Sequence, residues 1–149
     1  PGQLAPTCGA MGYGVPAAVA AALRYPDRCV IAAAGDGDLL MNAQELATAV
    51  QYGADLLVIV FDNSAYGTIR MHQEREFPGR VASTHLANPD FAAMATAFGG
   101  WGMRVDSTAQ FAPALADALG RKGVRLLHCI TDIEQLSAGG ATVSGLRAR

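Results

Sequence analysis

The chain has 149 residues, of which 51% are hydrophobic, and its formal net charge is −2. This length suits one domain with a sizeable core, and we treat residues 1–149 as a single domain. The charges are scattered, which argues against a nucleic-acid partner and a membrane-surface helix, and the apolar runs at 29–34 and 56–61 are too short to span a bilayer.

The cysteine pattern indicates the cellular compartment. The chain has three cysteines at unrelated spacings, Cys8, Cys29 and Cys129. An odd number without regular spacing does not indicate a disulfide framework, so a reducing cytoplasm is the simplest compartment. Cys29 and Cys129 fall in predicted strands, and we expect both thiols to be buried.

Helix and strand patterns alternate in the first half of the chain. A proline at the first helical position is favoured, and a short run that is apolar throughout is typical of a strand covered on both faces. A glycine commonly ends a helix. The predicted elements are a helix opened by Pro16 and continued over 17–23, a strand at 29–34, a helix at 44–52 closed by Gly53, and a strand at 56–61.

The second half continues the alternation after an irregular stretch. The predicted elements are a loop at 63–67, a short helix at 68–73, a loop at 74–87, a helix to 98 with Asn88 as N-cap and Pro89 as first residue, a strand at 101–105, a helix at 110–119 and a strand at 124–131. We expect the tail from Ile133 to be loosely packed. Alternating strands and helices predict a three-layer α/β fold, with a parallel sheet covered by helices on both faces.

Polar residues follow the first two predicted strands directly. Gly35-Asp36-Gly37 follows the first strand, and Asp62-Asn63 follows the second. Ligands of open parallel sheets bind beyond the carboxyl ends of the strands. A carboxylate and an amide at that edge offer the oxygen ligands that a hard divalent cation takes. The sequence therefore predicts a cation site there.

The motif GDG with a later Asn at this spacing resembles the diphosphate-binding motif of thiamine diphosphate (ThDP) enzymes. Upstream, PTCGAMGYGVPAAVAA is similar to the segment of the same family that runs beneath the cofactor ring. The resemblance covers about Leu4 to Asp132 and is to acetolactate synthase-like members. It implies the ThDP-binding fold, and it implies that the chain is the C-terminal, diphosphate-binding domain of a longer polypeptide, without the start of that domain.

The resemblance assigns a ligand set to the predicted cation site. Asp36 and Asn63 would give side-chain oxygens to Mg²⁺, and Ala65 would give its backbone carbonyl. Gly35 and Gly37 would let backbone N–H groups approach phosphate, and the helix that follows would present its positive end. The full set of expected cofactor-binding residues is Gly9, Met11, Gly35, Asp36, Gly37, Asp38, Asn63, Ala65, Tyr66 and Gly67.

Some of these positions have more specific expectations. Asp38 stands where many relatives have a small hydroxyl residue, which can donate to phosphate. We expect the backbone N–H of Asp38 to donate instead, with its carboxylate turned away from the phosphate or capping the helix. Met11 would hold the two cofactor rings in a bent arrangement, with the Gly9 carbonyl and the Met11 N–H contacting the pyrimidine. His72 stands where acetolactate synthases have Trp. Two interpretations of His72 remain open, a contact with the substrate and an exposed histidine at the end of a helix. We expect His128 to be a satisfied core histidine.

The implied activity concerns 2-oxo acids. The first activity that the resemblance implies is that of a decarboxylating carboligase similar to acetolactate synthase. The second is that of a decarboxylase of the benzoylformate type. The pyrimidine ring would be held by an N-terminal domain of the same or another subunit, which also supplies a glutamate, in a homodimer or tetramer. The chain alone is then expected to be inactive, with no catalytic residue of its own.

Two interpretations that assign the chain to other functional classes remain open. Gly35-Asp36-Gly37 could begin the GxGxxG motif of a Rossmann-like nucleotide-binding module, although Leu40 occupies the place of the third glycine. A non-catalytic binding or regulatory module is the other alternative. Binding of ThDP with Mg²⁺ would separate the first interpretation from both.

Overall fold

A computed structural model describes residues 2–136, 140 and 142–147. The elements in chain order are α1 (Gly14–Arg24), β1 (Val30–Gly35), α2 (Asp36–Met41), α3 (Glu45–Gln51), β2 (Leu56–Asp62), α4 (Gly67–Glu76), α5 (Phe91–Ala97), β3 (Trp101–Val105), α6 (Thr108–Gly120), β4 (Val124–Ile130) and α7 (Val143–Arg147). No helix among these residues is long and apolar enough to cross a membrane.

The four strands form one parallel sheet in the order β1-β2-β4-β3. Along the first pair, Val30 lies opposite Leu56 and Gly35 lies opposite Phe61. The strands β1 and β2 therefore end side by side, and the segments that follow them begin at the same edge. The prediction of a parallel α/β sheet is confirmed.

Helices pack on both faces of the sheet. The larger core cluster joins α1, α3 and α5 to one face through residues such as Val19, Leu46 and Phe91. The smaller cluster joins α6 to the other face through Ala114 and Ala118. Strand β4 is buried on both faces up to its last residue, as its apolar sequence predicts, whereas the edge strand β1 is covered on one face only.

The environment of Cys29 corrects one prediction. The strand β1 begins at Val30, and Cys29 is exposed in the turn before it, so the expectation of a buried thiol is wrong for this residue. It precedes the first residue of an edge strand, so it is not part of the buried sheet. Cys129 is buried in β4 as expected, and burial raises the pKa of its thiol.

The start of α5 also differs from the prediction. Asp90, not Asn88, is the N-cap, and its carboxylate accepts hydrogen bonds from the N–H groups of Ala92 and Ala93. Pro89 therefore precedes the helix instead of opening it. The amide of Asn88 instead donates to the carboxylates of Asp36, at the start of α2, and Asp62, at the end of β2.

The predicted loop at 74–87 and the predicted loose tail are wrong in part. Helix α4 continues to Glu76, and Glu74 is 1% exposed. The guanidinium groups of Arg70 and Arg147 donate to its carboxylate, which fixes α7 against α4. Val143 of α7 is buried as well. The tail residues 137–139, 141 and 148–149 lie outside the described residues.

The other predicted helices and strands are confirmed, with ends shifted by one or two residues. The sequence indicates such boundaries less closely than it indicates the elements, because helix ends fray into turns. Trp101 begins β3 as predicted and packs against the smaller core cluster, with the Arg121 guanidinium over its ring.

Candidate functional site

The two predicted side-chain ligands meet at the shared edge of β1 and β2. Asp36 is the first residue of α2, and Asn63 follows the last residue of β2. The N–H of Ala65 donates to Asp36 Oδ2 at 3.2 Å and to Asn63 Oδ1 at 3.1 Å. One backbone donor therefore holds a carboxylate and an amide oxygen together. The structure brings Asp36, Asn63 and Ala65 into one place.

The two oxygens of the Asp36 carboxylate are bonded unequally. Oδ2 accepts from the Ala65 N–H and from Asn88 Nδ2, the latter at 2.7 Å. Oδ1 accepts only from the Gly37 N–H among the described residues, at 2.9 Å. Burial raises the pKa of Asp36 above its ordinary value, although the bonds from Asn88 and Gly37 act in the opposite direction. Since a carboxylate oxygen can accept two bonds, Oδ1 keeps acceptor capacity for a ligand.

A second buried carboxylate lies beside the first. Asp62, the last residue of β2, accepts from Asn88 Nδ2 at 2.8 Å and from the Ser64 N–H at 2.9 Å through Oδ1. Its Oδ2 lies 2.8 Å from His128 Nε2. Burial alone would raise the pKa of Asp62, but the bonds from His128, Ser64 and Asn88 outweigh it and hold the pKa below its ordinary value.

His128 is a buried histidine of β4, as predicted. Its Nε2 bonds Asp62, and its ring meets Phe91 edge to face with centroids 5.0 Å apart. Its Nδ1 lies 3.6 Å from Asp90 Oδ1 and has no hydrogen-bond partner among the described residues. The imidazole therefore connects β2 to the start of α5.

Sequence reasoning missed this second group of residues. Asn88 links Asp36 to Asp62, and His128 supports Asp62 from the neighbouring strand. Two signals were present in the sequence: an ionisable residue directly before Asn63, and a histidine in an otherwise apolar strand. Neither signal reveals its partner, because the pairings cross between strands.

The oxygens at this edge suit a small hard cation. Asp36 and Asn63 are brought together by the Ala65 N–H, and no donor among the described residues bonds the Ala65 carbonyl. The described residues contain no group of three or more His, Cys, Asp and Glu that could hold a metal ion. One carboxylate, one amide and one carbonyl form the kind of small protein contribution with which Mg²⁺ binds when phosphate supplies further oxygens.

Helix α2 holds the predicted cofactor-ring segment through Gly12. The Gly12 N–H donates to Asp38 Oδ1 at 2.6 Å, and Asn42 Nδ2 donates to the Gly12 carbonyl at 2.8 Å. A Cβ at Gly12 would lie 2.6 Å from Asn42 Nδ2, and φ there is +83°. The Asp38 carboxylate thus turns towards this segment and does not cap α2. Met11, next to this contact, is exposed.

Tyr66 packs tightly against the first turn of α2. A Cβ at Gly37 would lie 2.5 Å from Tyr66 Cε1 and 2.7 Å from Cδ1. A Cβ at Gly67 would lie 2.8 Å from Asn63 Nδ2. Gly37 therefore allows Tyr66 to approach α2, and Gly67 allows Asn63 to lie close to the start of α4, while a Cβ at Gly35 would meet nothing within 4 Å.

Other predicted residues are less connected to this cluster. Gly9 is exposed with φ +67°. His72 is exposed on α4, and no hydrogen bond or ion pair of the described chain includes it. The Gly37 N–H is already used by Asp36, so a ligand would have to share or replace that bond.

Comparison with known proteins identifies the family. Residues 2–129 match the family described as "Thiamine pyrophosphate enzyme, C-terminal TPP binding domain", thiamine pyrophosphate being a synonym of thiamine diphosphate. The chain is 39% identical over 124 residues to the mitochondrial acetolactate synthase catalytic subunit of Aspergillus candidus, covering 83% of this chain and 18% of that protein. It is 38% identical over 125 residues to the acetolactate synthase isozyme 2 large subunit of Escherichia coli K12, covering 83% and 23%.

A solved structure supports the same conclusion. The crystal structure of benzoylformate decarboxylase from Polynucleobacter necessarius superposes with a TM-score of 0.78 at 28% identity, covering 85% of this chain and 24% of that one. The chain thus spans less than a quarter of the length of each of these relatives. It belongs to the family of C-terminal, thiamine pyrophosphate-binding domains of thiamine pyrophosphate enzymes, and its sequence is similar to that of acetolactate synthases.

Proposed function

We propose that this chain binds Mg²⁺ and the diphosphate of ThDP as part of a 2-oxo acid decarboxylating carboligase that resembles acetolactate synthase. The observation that supports this most is the Ala65 N–H, which bonds both Asp36 and Asn63 where β1 and β2 end. This arrangement supports the proposal, because the oxygens of Asp36 and Asn63 lie beyond the carboxyl ends of parallel strands, where such folds bind ligands. Membership of a thiamine pyrophosphate-binding family supports ThDP as the cofactor.

The proposed role of the chain is to bind and to orient. Asp36 Oδ1, the Asn63 side-chain oxygen and the Ala65 carbonyl would hold Mg²⁺, and diphosphate oxygens and water would complete its coordination. When bound, ThDP supplies a carbon nucleophile and an electron sink for a 2-oxo acid. The chain itself supplies placement and charge, and we assign it no catalytic residue.

Further cofactor contacts are proposed from where the residues lie. Met11 is 41% exposed beside a segment fixed by Asp38 and Asn42, so its side chain is available to a ring instead of filling the core. Tyr66 would pack beside the cofactor. The backbone groups proposed to border it belong to Gly9, Gly35, Gly37, Asp38 and Gly67. His72 is proposed as a substrate contact because it is exposed on the helix that follows the metal loop.

The complete active site would need a second domain. We propose that an N-terminal pyrimidine-binding domain, from the same or another subunit, covers the cofactor in a homodimer or tetramer, and that the chain alone is inactive. The names of the relatives, a catalytic subunit and large subunits, support a larger assembly. Free, exposed thiols at Cys8 and Cys29 suit a reducing compartment, and we propose the cytoplasm.

A benzoylformate-type decarboxylase is the second candidate. The similarity to benzoylformate decarboxylase favours it, and so does the expectation, implied by the resemblance alone, that acetolactate synthases have Trp in place of His72. The two candidates differ in product, because a carboligase joins the acyl unit to a second carbonyl and a decarboxylase releases an aldehyde. Incubating the full-length enzyme with pyruvate and with benzoylformate, and identifying acetolactate or benzaldehyde, distinguishes them.

Calorimetric titration of Mg²⁺ into the chain, with and without ThDP, tests the binding proposal. We expect measurable affinity only with ThDP, because three protein oxygens are too few to dehydrate Mg²⁺ alone. Asp36→Ala and Asn63→Ala should each abolish this coupled binding, whereas Asp106→Ala, on an exposed carboxylate paired with Arg104, should not. Equal Mg²⁺ affinity with and without ThDP, or unchanged binding by Asp36→Ala, would refute the assignment.

A further inference from the structure

Asn88 joins two buried carboxylates through a single nitrogen. Its Nδ2 donates to Asp36 Oδ2 at 2.7 Å and to Asp62 Oδ1 at 2.8 Å. The opposite orientation of the amide would place its oxygen against both carboxylates, so these bonds fix the orientation of the side chain. Asn88 therefore couples Asp36, at the start of α2, to Asp62, at the end of β2.

Asp62 is an anchor for this amide. Its Oδ2 lies 2.8 Å from His128 Nε2, and its Oδ1 also accepts from the Ser64 N–H at 2.9 Å. Both Asp62 and His128 are buried. Because neither of these bonds depends on Asn88, the Asn88 nitrogen is held by a carboxylate that is itself restrained at both of its oxygens.

Asn88 provides the strongest restraint on the Asp36 side chain. Two backbone groups also bond that carboxylate, but the Gly37 N–H comes from the same turn of α2, and the Ala65 N–H, at 3.2 Å, is shared with Asn63. The Asn88 bond is shorter than either, and among the groups that lower the pKa of Asp36 it has the largest effect. Since Asn88 and Ala65 both bond Oδ2, Oδ1 is the oxygen with acceptor capacity left.

We propose that Asn88 is a positioning residue for the cation site: anchored on Asp62, it holds Oδ2 of Asp36, so that Oδ1 is available to Mg²⁺ before the cation and diphosphate arrive. This inference rests on the proposed function for the identity of the ligands. A side chain that is ordered beforehand loses no rotamer freedom on binding. Partners that orient a metal-binding side chain commonly change metal affinity by about 10–100-fold.

Calorimetric titration of Mg²⁺ into the chain with saturating ThDP, corrected for Mg²⁺ binding to free ThDP, tests this role. Asn88→Ala should lower the Mg²⁺ affinity by about 10–100-fold. Asn88→Ser should lower it by less, because one hydroxyl hydrogen can bond only one of the two carboxylates.

The matched control separates positioning from a general loss of stability. Asp55 directly precedes β2, at the end of that strand opposite Asp62, and pairs with the buried Arg125. Asp55→Asn removes the charge of this pair, so it should lower the urea midpoint but leave the Mg²⁺ affinity unchanged.

A second measurement needs no ligand. Three-bond couplings across the Cα–Cβ bond of Asp36 report its χ1 angle, and in the ligand-free wild type they should correspond to one staggered rotamer. In Asn88→Ala they should average over several rotamers; if that variant does not fold, Asn88→Ser is used for both measurements. Unchanged couplings or unchanged Mg²⁺ affinity in a folded Asn88 variant, or an equal loss of affinity in Asp55→Asn, overturns the proposal. If the wild type does not bind Mg²⁺ with ThDP, the proposed function is refuted, whereas the couplings still decide whether Asn88 positions Asp36.

Discussion

The contact between α2 and the loop after β2 can be tested through Gly37. Gly37 lies in α2 with φ outside the left-handed region, so alanine is compatible with its backbone. The new Cβ would lie 2.5 Å from Tyr66 Cε1, whereas ordinary carbon contacts are about 3.5–4.0 Å, so the ring would have to move by roughly 1 Å. Gly37→Ala therefore combines a favourable effect on the helix backbone with an unfavourable contact between the new Cβ and the Tyr66 ring.

The magnitudes of the two effects predict a change of sign. Overpacking of this kind costs about 1–3 kcal/mol, while alanine in place of glycine in a helix gains up to about 1 kcal/mol. Gly37→Ala should therefore lower the free energy of unfolding by up to about 2 kcal/mol. In a Tyr66→Ala background the ring is absent and the nearest remaining atom is Leu86 Cδ1 at 3.3 Å, the end of a flexible side chain, so the same change should be neutral or should stabilise by up to about 1 kcal/mol. The coupling energy between the two positions is then about 1–3 kcal/mol, in the range of residues in direct contact.

Urea unfolding followed by far-ultraviolet circular dichroism measures these differences. With a slope of about 1–3 kcal/mol/M, each kcal/mol moves the midpoint by roughly 0.3–1 M. The matched control is Gly120→Ala at the end of α6, where a Cβ meets nothing within 4 Å and no destabilisation is expected. Equal destabilisation by Gly37→Ala in the wild type and in the Tyr66→Ala background would show that the ring is not the cause.

Three other predictions concern acid stability, the segment under the proposed cofactor and the thiols. Hydrogen bonds from Arg147 hold the pKa of Glu74 at about 2 instead of its ordinary 4.5, so its contribution to stability is complete above about pH 4.5 and is lost as the pH falls towards 2. Urea midpoints measured across this range should fall less steeply in Glu74→Gln. Asp38→Ala should cost about 1–3 kcal/mol in the same unfolding assay and weaken ThDP binding, while Asp38→Asn, which keeps an acceptor for the Gly12 N–H, should cost less. A chromogenic disulfide reagent should label two thiols of the native chain quickly and the third only after denaturation, the slow one being Cys129 and the fast ones Cys8 and Cys29; rapid labelling of all three would contradict this.

The sequence by itself determined which strands and helices follow each other along the chain, and that Asp36 and Asn63 lie close together. Both follow from local information, since apolar runs indicate buried strands, and consecutive parallel strands commonly lie next to each other. The family motif added the expected ligand set and the cofactor class, of which the class is confirmed by the family match. The binding roles of Asp36, Asn63 and the surrounding residues stay predictions.

Only the tertiary structure decided which partners the buried polar groups have. Asn88 has the local signature of a helix cap, but its amide bonds carboxylates 52 and 26 residues away. Glu74 lies in a polar stretch whose composition indicates a loop. In the structure it belongs to α4 and is buried, and Arg147, 73 residues further on, donates to its carboxylate. A buried polar group must find a hydrogen-bond partner, and the fold brings that partner from any part of the chain. Sequence patterns describe neighbours within a turn or a strand, so pairings between distant segments appear only when the sheet is assembled.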